Sequence, residues 1–96
     1  MTTEQLVQSK REAILRVAAE YGAHNVRLFG SVARGEATDD SDIDLLVDLD
    51  PGRSGLDQAG LSLDLEALLE RKVDVVTEAG LYWLLRRRIL NEARAL

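Results

Sequence analysis

The segment Asp42-Ile43-Asp44-Leu45-Leu46-Val47-Asp48-Leu49 constrains the fold of this chain most tightly. Its alternation puts Ile43, Leu45, Val47 and Leu49 on one side of a β-strand and Asp42, Asp44, Leu46 and Asp48 on the other. One side must be buried in a core. The other carries three carboxylates and must meet water, cations or a ligand.

Around this strand the hydrophobic period changes to that of helices. Over residues 4–21, Leu6, Ala13, Ile14, Val17, Ala18 and Tyr21 recur at steps of three and four, which predicts one helix, with Thr2 and Gln5 spaced as a capping box and Gly22 as its stop. Residues 25–30 read as a first strand. The glycine-rich, polar stretch that follows reads as a phosphate-sized loop with one short helical turn. Only eleven residues separate the first strand from the strand at 42–49, barely enough for a parallel crossover, so the two are expected to run antiparallel. Residues 50–55 are a turn by composition, and residues 57–70 return to helical spacing. Residues 72–77 form a third strand, and residues 81–95 read as helix in two pieces. Helices interleaved with about three strands predict an α/β (α+β) fold, a small mixed sheet flanked by helices, with residues 1–96 as a single domain.

Charge narrows the partners. The formal net charge is -5, but residues 1–35 carry +2, residues 36–78 carry -10 and residues 79–96 carry +3. Net negative charge argues against a general nucleic-acid binder, which must displace counterions from phosphate. With no cysteine there is neither a disulfide framework nor a thiolate zinc site. The polar N-terminus is unlike a signal peptide and no run of about 18 apolar residues occurs, so a cytoplasmic location is expected.

The chemistry centres on Asp42 and Asp44. Side chains two residues apart on a strand project the same way, with α-carbons roughly 6.5–7 Å apart, so both carboxylates can converge on cations. Their mutual repulsion raises the pKa of at least one, and a hard-oxygen Mg²⁺ site would remove that penalty. A bare Asp-x-Asp is more commonly the exposed polar face of an edge strand. Three neighbours favour the metal reading: Gly30 and Ser31, whose N–H groups and hydroxyl can bind phosphate oxygens; Arg34, a cation in the same loop; and Asp74, which faces away from Val73 and Val75 on the third strand. A third carboxylate on a neighbouring strand suits two-metal nucleotidyl transfer, which needs no His, Cys or Ser nucleophile.

Gly30-Ser31-Val32-Ala33-Arg34-Gly35, Ser41-Asp42-Ile43-Asp44-Leu45-Leu46-Val47 and Val73-Asp74-Val75-Val76 together resemble the signature of the DNA polymerase β-like nucleotidyltransferase superfamily. The chain length, the loop and the ending Leu84-Leu85-Arg86-Arg87-Arg88-Ile89-Leu90 are similar to its minimal nucleotidyltransferase (MNT) branch. The resemblance implies the nucleotidyltransferase fold, with Gly30 and Ser31 on the β and γ phosphates, Asp42 and Asp44 on both of two Mg²⁺ ions, and Asp74 on the acceptor-side ion. Arg34 is either a phosphate contact or a solvated loop cation. It implies ATP as substrate, a HEPN-type ribonuclease toxin as partner, and an antitoxin role in which AMP is transferred to a toxin tyrosine. Larger superfamily members carry a second helical domain, so the resemblance also implies that a partner supplies the missing half-site in a homo- or hetero-oligomer. Two other readings stay open: a non-catalytic antitoxin that neutralises its toxin by occlusion, and a nucleotidyltransferase modifying a small molecule such as an aminoglycoside.

The four aromatics, Tyr21, Phe29, Tyr82 and Trp83, are too few for the stacking platforms of a polymerase. Tyr82, Trp83 and Arg86–Arg88 are either partner-facing or the site where Leu81, Leu84 and Leu85 close the core beneath solvated arginines. His24 is expected to be a loop or strand-edge residue.

Overall fold

A computed structural model describes residues 1–96. In chain order the elements are α1 (Thr3–Ser9), α2 (Arg11–Glu20), β1 (Ala23–Phe29), α3 (Gly30–Ala33), β2 (Ile43–Leu49), α4 (Gly55–Leu69), β3 (Val73–Val76), a 3₁₀ turn (Glu78–Gly80), α5 (Trp83–Glu92) and β4 (Arg94–Ala95). The strands form one mixed sheet in the order β3-β2-β1-β4. β1 runs antiparallel to β2, as the short connection requires, and β3 runs parallel to β2 after the α4 crossover.

Local signals explain where the helices start. Thr2 and Gln5 form the expected capping box: the Gln5 N–H donates to the Thr2 hydroxyl at 3.1 Å and the Thr2 N–H to Gln5 Oε1 at 2.8 Å. Ser54 and Asp57 cap α4 in the same way. The expected single helix over 4–21 is two helices broken at Lys10, with no glycine or proline to announce the break. The first piece is held elsewhere: Thr3, almost fully buried, donates its hydroxyl to the Thr38 carbonyl at 3.0 Å, and Val7 enters the core. Gly22 does end α2, at a φ of +71° that favours glycine.

Most of the core lies on one face of the sheet, with Leu46 and Phe29 the buried apolar residues of the other. Leu28, Ile43, Leu45, Val47, Val73 and Val75 meet Val7, Ile14 and Ala18 from α1 and α2 and Leu61, Leu65 and Leu69 from α4. Beyond packing, α4 protects the β3 edge. Gln58 donates to the Val75 carbonyl at 2.6 Å, the Ser62 hydroxyl donates to the Val73 carbonyl, and Glu66 accepts from the Val73 N–H at 3.1 Å. Positions 58, 62 and 66 are one helical turn apart, so a single polar stripe satisfies edge groups that would otherwise invite another strand.

The C-terminal part corrects the sequence reading twice. A fourth strand is present where helix was expected to run on to residue 95: Arg94 and Ala95 pair with β1, and the Leu96 N–H donates to the Val26 carbonyl at 3.0 Å. The core-closing role for Leu84 and Leu85 is also overturned. No residue of α5 is buried, and Trp83, Leu84 and Leu85 are 73%, 57% and 45% exposed. No helix is long and apolar enough to cross a membrane.

Candidate active site

The site grows from the face of the sheet that the core leaves open. Cross-strand partners share a face, and the register pairs Asp44 with Phe29 on one side and with Asp74 on the other. The next row pairs Leu46 with Arg27 and Val76. Sequence alternation thus sorts the side chains as expected, with Asp44 and Asp74 brought directly opposite one another. Asp42 lies one residue before β2 and is exposed, near enough to repel the Asp44 carboxylate.

Asp44 is the electrostatic centre. Partial burial first, then repulsion from Asp74 and Asp42, raises its pKa from 3.8 to about 6; Arg34 opposes the shift and Glu92 adds to it. Asp44 also fixes the identity of its neighbour. Gly30 has a φ of +75°, and a Cβ there would collide with Asp44 Oδ2, so both backbone conformation and space demand glycine at the start of α3.

Two clefts meet at Asp44. One, of about 360 Å³, is lined by Phe29, Gly30, Ser31 and Arg34 from the β1–α3 region and by Leu85, Arg88, Ile89 and Glu92 from α5. The other, of about 510 Å³, contains Asp74, Gln58 and Ser62. Gly30, Ser31, Arg34, Asp44 and Asp74 therefore all line one cleft or the other, with Asp44 shared by both. Arg34 is engaged rather than simply solvated: Nε donates to Glu36 at 3.0 Å and Nη1 to both Glu92 oxygens at 3.2 and 3.3 Å. These carboxylates, Glu36 foremost, hold its pKa above the usual arginine value. Ser41 accepts from the Thr38 N–H at 2.8 Å and so orders the loop entering β2.

The acidic side chains around Asp44 offer carboxylate oxygens, the chemistry of a hard divalent cation, and the raised Asp44 pKa marks a penalty of burial first and like-charge repulsion second that such an ion would relieve. Asp42, Asp44 and Asp74 are the residues that could hold it. They are not drawn into a closed cluster: no group of three or more acidic or imidazole side chains is gathered around a common point.

Sequence reasoning missed Glu92, Arg88 and Phe29. Phe29 was a strand residue with a legible face, but Arg88 and Glu92 reach the cleft only because α5 crosses back over it, which no local signal announces. Arg27 was missed as well. Its guanidinium, 14% exposed, donates to Asp48 and to Glu78 at 3.0 Å each, so Asp48 is ion-paired and stands apart from the Asp44 group. His24 lies on β1, largely exposed and 3.0 Å from Asp50, as a strand-edge residue should.

Known proteins resemble this chain in sequence and fold. A provisionally named protein adenylyltransferase of Methanocaldococcus jannaschii is 41% identical over 86% of this chain and 89% of its own length. A solved structure described provisionally as a minimal nucleotidyltransferase is 52% identical, with a TM-score of 0.86 over 100% of this chain and 97% of that one. Two solved toxin–antitoxin complexes share the fold at 21% identity. One contains AMP-PNP (TM-score 0.75, 88% of this chain and 69% of that one). The other holds a tri-AMPylated Shewanella oneidensis HEPN toxin with an MNT antitoxin (TM-score 0.66, 96% and 70%). Residues 10–96 match the family described as nucleotidyltransferase domain, and the chain belongs to that family.

Proposed function

We propose that this nucleotidyltransferase is a protein adenylyltransferase antitoxin, transferring AMP from ATP to a tyrosine of a HEPN-type toxin in the cytoplasm, with residues 1–96 acting as one minimal domain. The observation that carries the reading is the position of Asp44 between two clefts, opposite Asp74 and against Gly30. A donor triphosphate on one side and an acceptor hydroxyl on the other would meet over that carboxylate.

In this reading Gly30, Ser31 and Arg34 bind the β and γ phosphates. Asp42 and Asp44 hold two Mg²⁺ ions and Asp74 completes the acceptor-side one. Such ions would neutralise phosphate charge and favour the phenolate form of the attacking tyrosine hydroxyl. The acceptor oxygen forms a bond to the α-phosphorus, the bond from that phosphorus to the bridging oxygen breaks, pyrophosphate leaves and the hydroxyl proton passes to solvent. The chain's own contribution is orientation and charge: Gly30 would bring backbone within reach of an anion, and Asp44 and Asp74, paired across β2 and β3, would hold cations. The exposed Trp83–Leu85 stretch, whose Leu85 borders the donor cleft, offers the acceptor protein a docking surface beside the chemistry.

The test is incubation of the protein with ATP, Mg²⁺ and its cognate toxin, read by mass spectrometry. One or more AMP additions to a toxin tyrosine are expected, lost in the Asp42→Asn, Asp44→Asn double variant. A double variant that still neutralised the toxin fully would favour occlusion instead.

A further inference from the structure

Glu92, the last residue of α5, reaches back into the cleft beside Gly30 and occupies two of its candidate anion contacts. The Gly30 N–H donates to Glu92 Oε1 at 3.0 Å, and Arg34 Nη1 donates to Oε1 and Oε2 at 3.2 and 3.3 Å. The side chain is only 17% exposed, so this is a seated carboxylate rather than a surface contact.

A backbone N–H has one hydrogen to give, so Gly30 cannot serve Glu92 and a phosphate oxygen together. The charge balance points the same way. Glu92 already adds to the repulsion at Asp44, and a bound triphosphate would bring several more negative charges to that place. The helix that carries Glu92 is lightly held, since Ile89, Leu90 and Glu92 are only partly buried and the rest of α5 is exposed. We infer that Glu92 is a further residue of the nucleotide site, an internal anion that satisfies Gly30 and Arg34 before nucleotide arrives and must withdraw for triphosphate to take its place. This rests on the phosphate-binding role given to Gly30 and Arg34 above.

Calorimetric titration of the whole chain with Mg²⁺–ATP, and separately with Mg²⁺–tripolyphosphate, tests it in wild type, Glu92→Gln and Glu92→Ala. Removing a competing anion should tighten both ligands, about tenfold for Glu92→Ala and less for the near-isosteric Glu92→Gln, equivalent to about 1.4 kcal/mol at tenfold. The unliganded melting temperature should fall at the same time. A merely structural carboxylate would lower stability and weaken binding together. Binding by wild type with unchanged or weakened affinity in Glu92→Gln would overturn the role of Glu92 alone. If neither wild type nor the variants bound either ligand, the phosphate assignment would fall and this inference with it. Circular dichroism of Glu92→Gln, which keeps the size of the side chain, checks that the comparison is between folded proteins.

Discussion

The two faces of β2 are built from alternate residues of one seven-residue strand, yet they obey opposite rules. On one face Ile43, Leu45 and Val47 are fully buried beneath α2 and α4. On the other, Asp44 lies half-buried among like charges and Asp48 needs Arg27 to balance it. The difference is one of what covers them. Three helices close the first face with apolar side chains, whereas α5 crosses the second with only Ile89, Leu90 and Glu92 partly buried, and Leu46 is the one β2 residue fully buried there. The covered face supplies the rigidity. That rigidity lets the open face keep a strained electrostatic arrangement that a cation and a phosphate can resolve.

Breaking each face in turn should separate activity from stability. The largest effect belongs to Asp44→Asn, expected to lower AMP transfer roughly a thousandfold, because ion-held transition-state charge is worth several kcal/mol. Its unliganded melting temperature at pH 8 should rise, not fall. Leu45→Ala on the covered face reverses the pattern: about 3 kcal/mol of stability lost in denaturant unfolding, with transfer by the remaining folded protein little changed. Arg27→Met removes the cation between Asp48 and Glu78 and should cost about 1–2 kcal/mol, with no effect on AMP transfer. The smallest effect sharpens the comparison through pH. An acid with a raised folded-state pKa holds its proton more tightly when folded, so its contribution is full below about pH 4, declines as pH rises towards 6 and is flat above. Thermal scans across that window should show the decline in wild type, and Asp44→Asn should abolish it.

Much of the open face was legible in the sequence because strand alternation is a local property. Asp44, Asp74 and the Gly30 approach follow from the order of residues and the shortness of the β1–β2 connection. What could not be read depends on tertiary competition. The break at Lys10 reflects where Thr3 and Val7 find partners, not a helix-stopping residue. The two-residue β4 exists because β1 leaves an edge unpaired, and pairing there turns the chain after Glu92. The same geometry brings Arg88 and Glu92, from the far end of the chain, into the cleft lined by Gly30, Ser31 and Arg34. Leu84 and Leu85 show the limit of hydrophobicity as a guide, since of the two roles the sequence left open, core-closing and partner-facing, their exposure excludes the first.

Burial and the neighbouring Asp74 and Asp42 carboxylates penalise ionised Asp44, and a divalent cation there would relieve that penalty. Carbon-13 NMR titration of the aspartate side-chain carboxyls, with and without Mg²⁺, measures this directly. An Asp44 midpoint near 6 is expected in the metal-free protein, falling by more than about one pH unit when Mg²⁺ is added. A midpoint near 4 without metal, or one near 6 that Mg²⁺ does not move, would contradict it.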